Sequence, residues 1–170
     1  MESAVAWQQA VAGDKPSALI FTRQNTQPQP RSDEVFANIE RGGYVLQDGA
    51  GAADVILIAT GSEVELAVAA AVTLAGEGVI ARVVSMPCAE RFLAQDAAYQ
   101  ESVLPVGQRR RIAVEAAQPD YWYRFVGLDG VVIGIDRYGM SAPGAQAMAE
   151  LGITADAVVA AARQLVNAAN

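Results

Sequence analysis

The chain contains no histidine and a single cysteine, Cys88, among its 170 residues. Without imidazole it lacks the side chain that most often carries general acid–base chemistry near neutral pH. Zinc and iron sites draw mainly on His and Cys, so carboxylates and one thiol make a poor donor set, and no metal site is expected. One thiol excludes an internal disulfide framework and points to a reducing compartment, the cytoplasm. Basic residues are also few: 12 Lys and Arg stand against 19 Asp and Glu, for a net charge of −7. A nucleic-acid binder needs a basic face, which argues against that class. No uncharged apolar run reaches the roughly 18–20 residues needed to span a bilayer. The N-terminus lacks a basic region followed by an apolar one, so no secretory signal is read there.

What remains is apolar and fine-grained. Hydrophobic residues make up 52% of the chain, the mean hydropathy is +0.20, and aromatics are only 6%. Abundant Ala and Val suit helices packed closely on a buried sheet. Residues 2–13 read as a helix ended by Gly13-Asp14-Lys15-Pro16, and Ser17 to Thr22 as a short buried strand. Residues 24–34 are rich in Gln, Asn and Pro and read as an extended linker. The predicted division is 1–23 as the tail of a preceding domain, 24–41 as linker and 42–170 as one domain.

Within that domain, 42–48 reads as an edge strand, and Asp54 to Thr60 as a parallel strand covered on both faces. Further strands are predicted at Ala81 to Met86, Arg111 to Glu115 and Val131 to Ile135. Ser62 with Glu65 has the spacing of a capping box opening a buried helix to Ala75. Thr154 is the expected cap of the last helix, which carries Arg163 near its end. Strands alternating with helices predict an α/β three-layer sandwich: a mostly parallel sheet of about five strands, with an option for one antiparallel edge strand at Gly42-Gly43-Tyr44.

Candidate chemistry is sparse. Thr60-Gly61-Ser62-Glu63-Val64-Glu65 is a strand–turn–helix junction, where doubly wound folds bind ligands, and Gly61 and Ser62 form a candidate anion site. The two glutamates would repel a phosphate, so capping is the competing reading. Arg23 ends an apolar run and could hold a phosphate or carboxylate with two donors, or form a structural ion pair. Glu115 ends a strand without an evident acidic partner and reads as a hydrogen-bond acceptor for loop amides. Ser141 lacks the flanking pattern and the base of a nucleophile, which leaves a loop or capping role. Cys88 reads as a buried small residue, Trp122 with Tyr121 and Tyr123 as packing aromatics, and Arg109-Arg110-Arg111 as a solvated loop before a strand.

Two segments carry a family resemblance. Gly134-Ile135-Asp136-Arg137-Tyr138-Gly139-Met140-Ser141-Ala142-Pro143 resembles the G-I-D-x-F-G-x-S-A-P segment near the C-terminus of transketolases. Leu19-Ile20-Phe21-Thr22-Arg23-Gln24-Asn25 is similar to their L-x-x-[ST]-R-Q-N segment. Ile58 to Val64, Val84-Ser85-Met86-Pro87, Asp120 to Gly127 and Leu151-Gly152-Ile153-Thr154 extend the likeness in order and spacing. Met140 and Gly144 depart from the small residue and the alanine expected around Ser-Ala-Pro.

The resemblance implies thiamine diphosphate-dependent transfer of two-carbon ketol units between sugar phosphates, in a homodimer. It implies that this chain is the C-terminal domain with the last helix and strand of the pyrimidine-binding domain before it, that Met1 is a cut start, and that the chain alone is inactive. Thiamine diphosphate and a divalent cation, Mg or Ca, would be held by the missing N-terminal domains, leaving no cofactor-binding, metal or catalytic residue here. Arg23 matches the family's substrate-phosphate ligand. A stand-alone ligand- or partner-binding module, or a fragment of a related enzyme such as 1-deoxyxylulose-5-phosphate synthase, is the alternative.

Overall fold

A computed structural model describes residues 1–168. Helix α1 (Glu2–Ala12) leads into an irregular stretch from residue 13 to 32, and α2 (Asp33–Ala37) follows. Five strands then form one sheet: β1 (Tyr44–Gln47), β2 (Val55–Ala59), β3 (Ala81–Ser85), β4 (Arg111–Val114) and β5 (Val131–Ile133). Their spatial order is β1-β3-β2-β4-β5. The pairs β3–β2, β2–β4 and β4–β5 are parallel, and β1 runs antiparallel to β3. This is the expected α/β sheet with its one antiparallel edge.

Helices cover both faces. Val55, Leu57 and Ala59 of β2 point to the side covered by α3 (Val64–Gly76) and α8 (Ala155–Asn167), where Ala67, Ala70, Leu74, Val158 and Ala162 are buried. The alternate residues Ile56 and Ile58 face α4 (Ala89–Leu93), α5 (Ala97–Val103) and α6 (Tyr123–Val126), against Phe92, Val103, Trp122 and Phe125. Burial on both sides is why β2 has no polar alternation. The alanines of α3 and α8 let the two helices lie close together. Arg163 of α8 donates to the Glu77 carboxylate just after α3, Nε at 3.0 Å. Thr154 Oγ1 accepts from the Ala157 amide at 3.1 Å and caps α8 as expected. Helix α7 (Gly144–Glu150) precedes it.

Three local expectations change. Ser17 to Thr22 forms no strand, and Ile20 is 94% exposed. A strand needs hydrogen-bonding neighbours, and this segment lies outside the one sheet among the described residues. Ser62 and Glu65 form no capping box: a short 3-10 turn at Gly61–Glu63 precedes α3, and neither side chain caps it. The Arg109–Arg111 run is only partly solvated. Arg109 pairs with Asp129 at 2.5 Å on the surface, Arg110 Nε donates to Asp54 O, and Arg111 donates to the carbonyls of Gln108, Leu104, Pro105 and Phe125. Burial in that carbonyl cage lowers the Arg111 pKa.

Candidate functional site

The strand order turns back at β2, which has β3 on one side and β4 on the other. The loops leaving β2 and β4 diverge there, opening a crevice at the carboxyl ends of the strands. A cleft of about 1160 Å³ lies at this place. It gathers most of the candidate residues: Arg23, Gly61, Ser62, Cys88, Glu115 and Trp122 all line it. Ser141 does not. It is exposed in the loop before α7, where it caps nothing, although its neighbour Ala142 reaches the rim.

The crevice is occupied from within by Glu63. Its carboxylate accepts from the Ala116 amide at 2.9 Å and from the Ser62 hydroxyl at 2.8 Å. It is 6% exposed. Glu63 thus ties the loop after β2 to the loop after β4 and engages the Ser62 hydroxyl and the Ala116 amide beside the candidate anion site at Gly61 and Ser62. Glu115 was expected to accept from loop amides; it accepts instead from the Trp122 indole N–H, and Trp122 packs in the core beside Phe125. Glu90 accepts from the Tyr121 hydroxyl at 3.3 Å and lies 3.8 Å from the Cys88 thiol. Burial first, and then the Glu90 charge, push the Tyr121 pKa up. Cys88 is half-buried on the cleft wall rather than enclosed, because Pro87 ends the strand and turns the chain toward the opening.

Arg23 differs from these groups. It is exposed at the cleft and takes part in no ion pair or hydrogen bond among the described residues. It is a cation beside a cleft whose other charged lining residues are Glu63, Glu90 and Glu115. Among the described lining residues Arg23 brings the one positive charge to the cleft.

Two groups of contacts escaped the sequence. Glu2 Oε1 accepts from Tyr44 Oη at 2.6 Å, Ser85 Oγ at 2.6 Å and Arg31 Nη2 at 3.2 Å, fastening α1 to the edge of the sheet. Glu65 accepts from the Gln27 backbone amide, fastening the segment that follows Arg23. Both join residues far apart in the chain, and no local pattern announces them.

Among the described residues no group of three or more His, Cys, Asp or Glu side chains could hold a metal ion, and no helix is long and apolar enough to cross a membrane.

Residues 42–154 match the family model described as Transketolase-like TK C-terminal domain. The chain is 56% identical over 167 residues to transketolase 1 of Escherichia coli (strain K12), and 53% identical over 167 residues to transketolase 1 of Vibrio cholerae serotype O1. Each alignment takes in 98% of this chain and 25% of the relative, so the chain spans about a quarter of their length. The fold is similar to that of the Pichia stipitis transketolase solved in complex with sedoheptulose-7-phosphate, with a TM-score of 0.85 and 33% identity over 98% of this chain and 24% of that one.

Proposed function

Because the chain belongs to the transketolase family, we propose that it supplies the C-terminal domain, preceded by the tail of a pyrimidine-binding domain, to an enzyme that transfers two-carbon ketol units between sugar phosphates. In this reading residues 1–23 are that tail, 24–41 are the linker and 42–170 are the domain. The single observation that carries the reading toward this chain's own residues is Arg23, an unengaged cation at the mouth of an acidic cleft. Its guanidinium meets the phosphate of the sugar in a two-pronged hydrogen bond and fixes the end of the substrate remote from the reacting carbons. The sugar phosphate in the Pichia stipitis complex is a ligand of this class.

Thiamine diphosphate with a divalent cation supplies the carbanion chemistry of the whole enzyme. The residues here do not fit that group: Glu63, Glu90 and Glu115 line the cleft and would repel a diphosphate, and the Ala116 amide is already taken by Glu63. We assign its binding to the remaining N-terminal domains. Those domains also cover the apolar surface around α1 and the segment after it, where Trp7 is 56%, Ile20 94% and Phe21 47% exposed. A homodimer working in the cytoplasm, with Cys88 as a free thiol, completes the proposal.

The test is Arg23→Ala in the intact enzyme. Loss of a charge-assisted contact is expected to lower kcat/KM for phosphorylated acceptors by about 10- to 100-fold, and to leave unphosphorylated acceptors nearly unchanged. Equal loss on both would sink the assignment. The alternative, a self-sufficient binding module, is favoured by the cleft alone. It predicts a function for the chain without its neighbours, whereas the reading above predicts ketol transfer only when the N-terminal portion is supplied.

A further inference from the structure

The segment carrying Arg23 has no regular structure of its own: residues 13–32 contain neither helix nor strand. A side chain that must meet a phosphate in a set geometry cannot rest on a free backbone. The structure shows what holds this one. At Gly61 the backbone is left-handed, with φ of +57°, and a Cβ there would come within 3.1 Å of Thr22 Cγ2. The residue before Arg23 thus lies close against the turn. Four residues after Arg23, the Gln27 amide donates to the Glu65 carboxylate. Farther along, Arg31 donates to Tyr44 Oη at 2.9 Å and to Glu2 at 3.2 Å. Arg23 lies between the first two ties, one made by the 3-10 turn at Gly61 and the other by Glu65 in the first turn of α3 that follows it.

We propose that Glu65 is a positioning residue for Arg23, and that the Gly61–Glu65 segment is the means by which this domain sets the phosphate-binding arginine. The inference rests on the reading of Arg23 as a phosphate ligand. Glu65 is well suited to the task. It stands in the first turn of α3, whose Ala67, Ala70, Ala71 and Leu74 are buried against the sheet, so its backbone is anchored. A carboxylate there is favoured by the helix dipole and accepts strongly from an amide. Its negative charge also bars the helix end from being the phosphate site and leaves that to Arg23. The C-terminal domain then contributes to substrate recognition without touching substrate: it holds the linker, and the linker holds the arginine.

The experiment compares intact wild-type enzyme with Glu65→Ala, Glu65→Gln and Arg23→Ala. Hydroxypyruvate is the donor, with either ribose 5-phosphate or glycolaldehyde as acceptor, and thermal unfolding is followed in parallel. Glu65→Ala is expected to raise KM for ribose 5-phosphate by about 3- to 10-fold with kcat little changed, and to leave KM for glycolaldehyde alone. Glu65→Gln keeps an oxygen that accepts from the Gln27 amide and should restore most of the affinity. If Glu65→Ala does not fold, Gln27→Pro removes the donor from the other side of the same bond and carries the same expectation. An Arg23→Ala effect on the phosphorylated acceptor with no effect of Glu65→Ala overturns the inference and spares the reading beneath it. Equal effects of Glu65→Ala on both acceptors reduce Glu65 to a structural residue and also overturn it. If Arg23→Ala itself fails to discriminate the acceptors, the phosphate assignment falls and takes the inference with it.

Discussion

Replacing Tyr44 with Phe removes one oxygen from the edge of the sheet and leaves the ring, which is 1% exposed, in place. That oxygen donates to Glu2 Oε1 at 2.6 Å and accepts from Arg31 Nε at 2.9 Å. Hydrogen bonds with a charged partner contribute about 1.5–3 kcal/mol each when buried. Glu2 is not orphaned in the variant, since Ser85 Oγ and Arg31 Nη2 still reach it. A net loss of about 2 kcal/mol at pH 7 is the expected balance.

The same group predicts a pH dependence. Burial, and then the Glu2 charge, raise the Tyr44 pKa above its ordinary value. A raised folded-state pKa means that the neutral phenol contributes its stability in full below the unfolded value of about 10, and that this contribution falls as pH rises toward the folded value. One proton lost on unfolding costs about 1.4 kcal/mol per pH unit in that window. Wild type should therefore lose about 2 kcal/mol relative to Tyr44→Phe between pH 10 and about 11.5, and the two curves should meet there. Tyr99 and Tyr121 also have raised pKa values, but they are common to both proteins and cancel in the difference. Urea unfolding followed by far-UV circular dichroism at several pH values measures it. A Tyr44→Phe protein as stable as wild type at pH 7, or a stability difference that stays constant through pH 11, would refute the account of this cluster.

Two further substitutions test local packing and capping in the domain. Gly42→Ala places a Cβ at a φ of +87°, 2.3 Å from the Cys88 carbonyl oxygen and 2.6 Å from Arg91 Cβ, and should destabilise by about 3 kcal/mol or more in a urea titration. Thr154→Ala removes the side-chain oxygen that accepts from the Ala157 amide at the start of α8, and should cost about 1 kcal/mol in the same assay, with Thr154→Ser close to wild type.

The sheet was legible because its causes are local. Val55 to Ala59 is an unbroken apolar run, and β2 is buried on both faces. Thr154 capped its helix because the cap and the amide it serves are three residues apart. Two short helices, α2 and α5, carry a local signal of their own: Ser32 accepts from the Val35 amide and Asp96 from the Tyr99 amide, each a side-chain cap before a helix start. Ser17 to Thr22 misled because an apolar run signals burial without saying in which sheet. Ser62 and Glu65 misled for a different reason. Their spacing fits a capping box, but each side chain has a partner elsewhere: Ser62 donates to Glu63, and Glu65 takes the Gln27 amide, 38 positions away. Spacing within a motif cannot reveal a competitor of that kind.

Glu63 fills part of the place where an open α/β sheet usually receives a ligand. Ligands of such sheets enter the crevice where the strand order turns back, and bind to the amides and hydroxyls of the diverging loops. Here that crevice holds the chain's own carboxylate, with Ser62 on one side and the Ala116 amide on the other. An incoming anion would have to displace a buried charge that already has good partners, and the displaced carboxylate would repel it from close range. At this point of the crevice Glu63 acts as a brace between the loops that follow β2 and β4. A rigid brace is of use to a neighbour. The turn that Glu63 braces is the one against which Thr22 packs, and Glu65 just beyond it holds Gln27, which is the rigidity that the proposed positioning of Arg23 draws on.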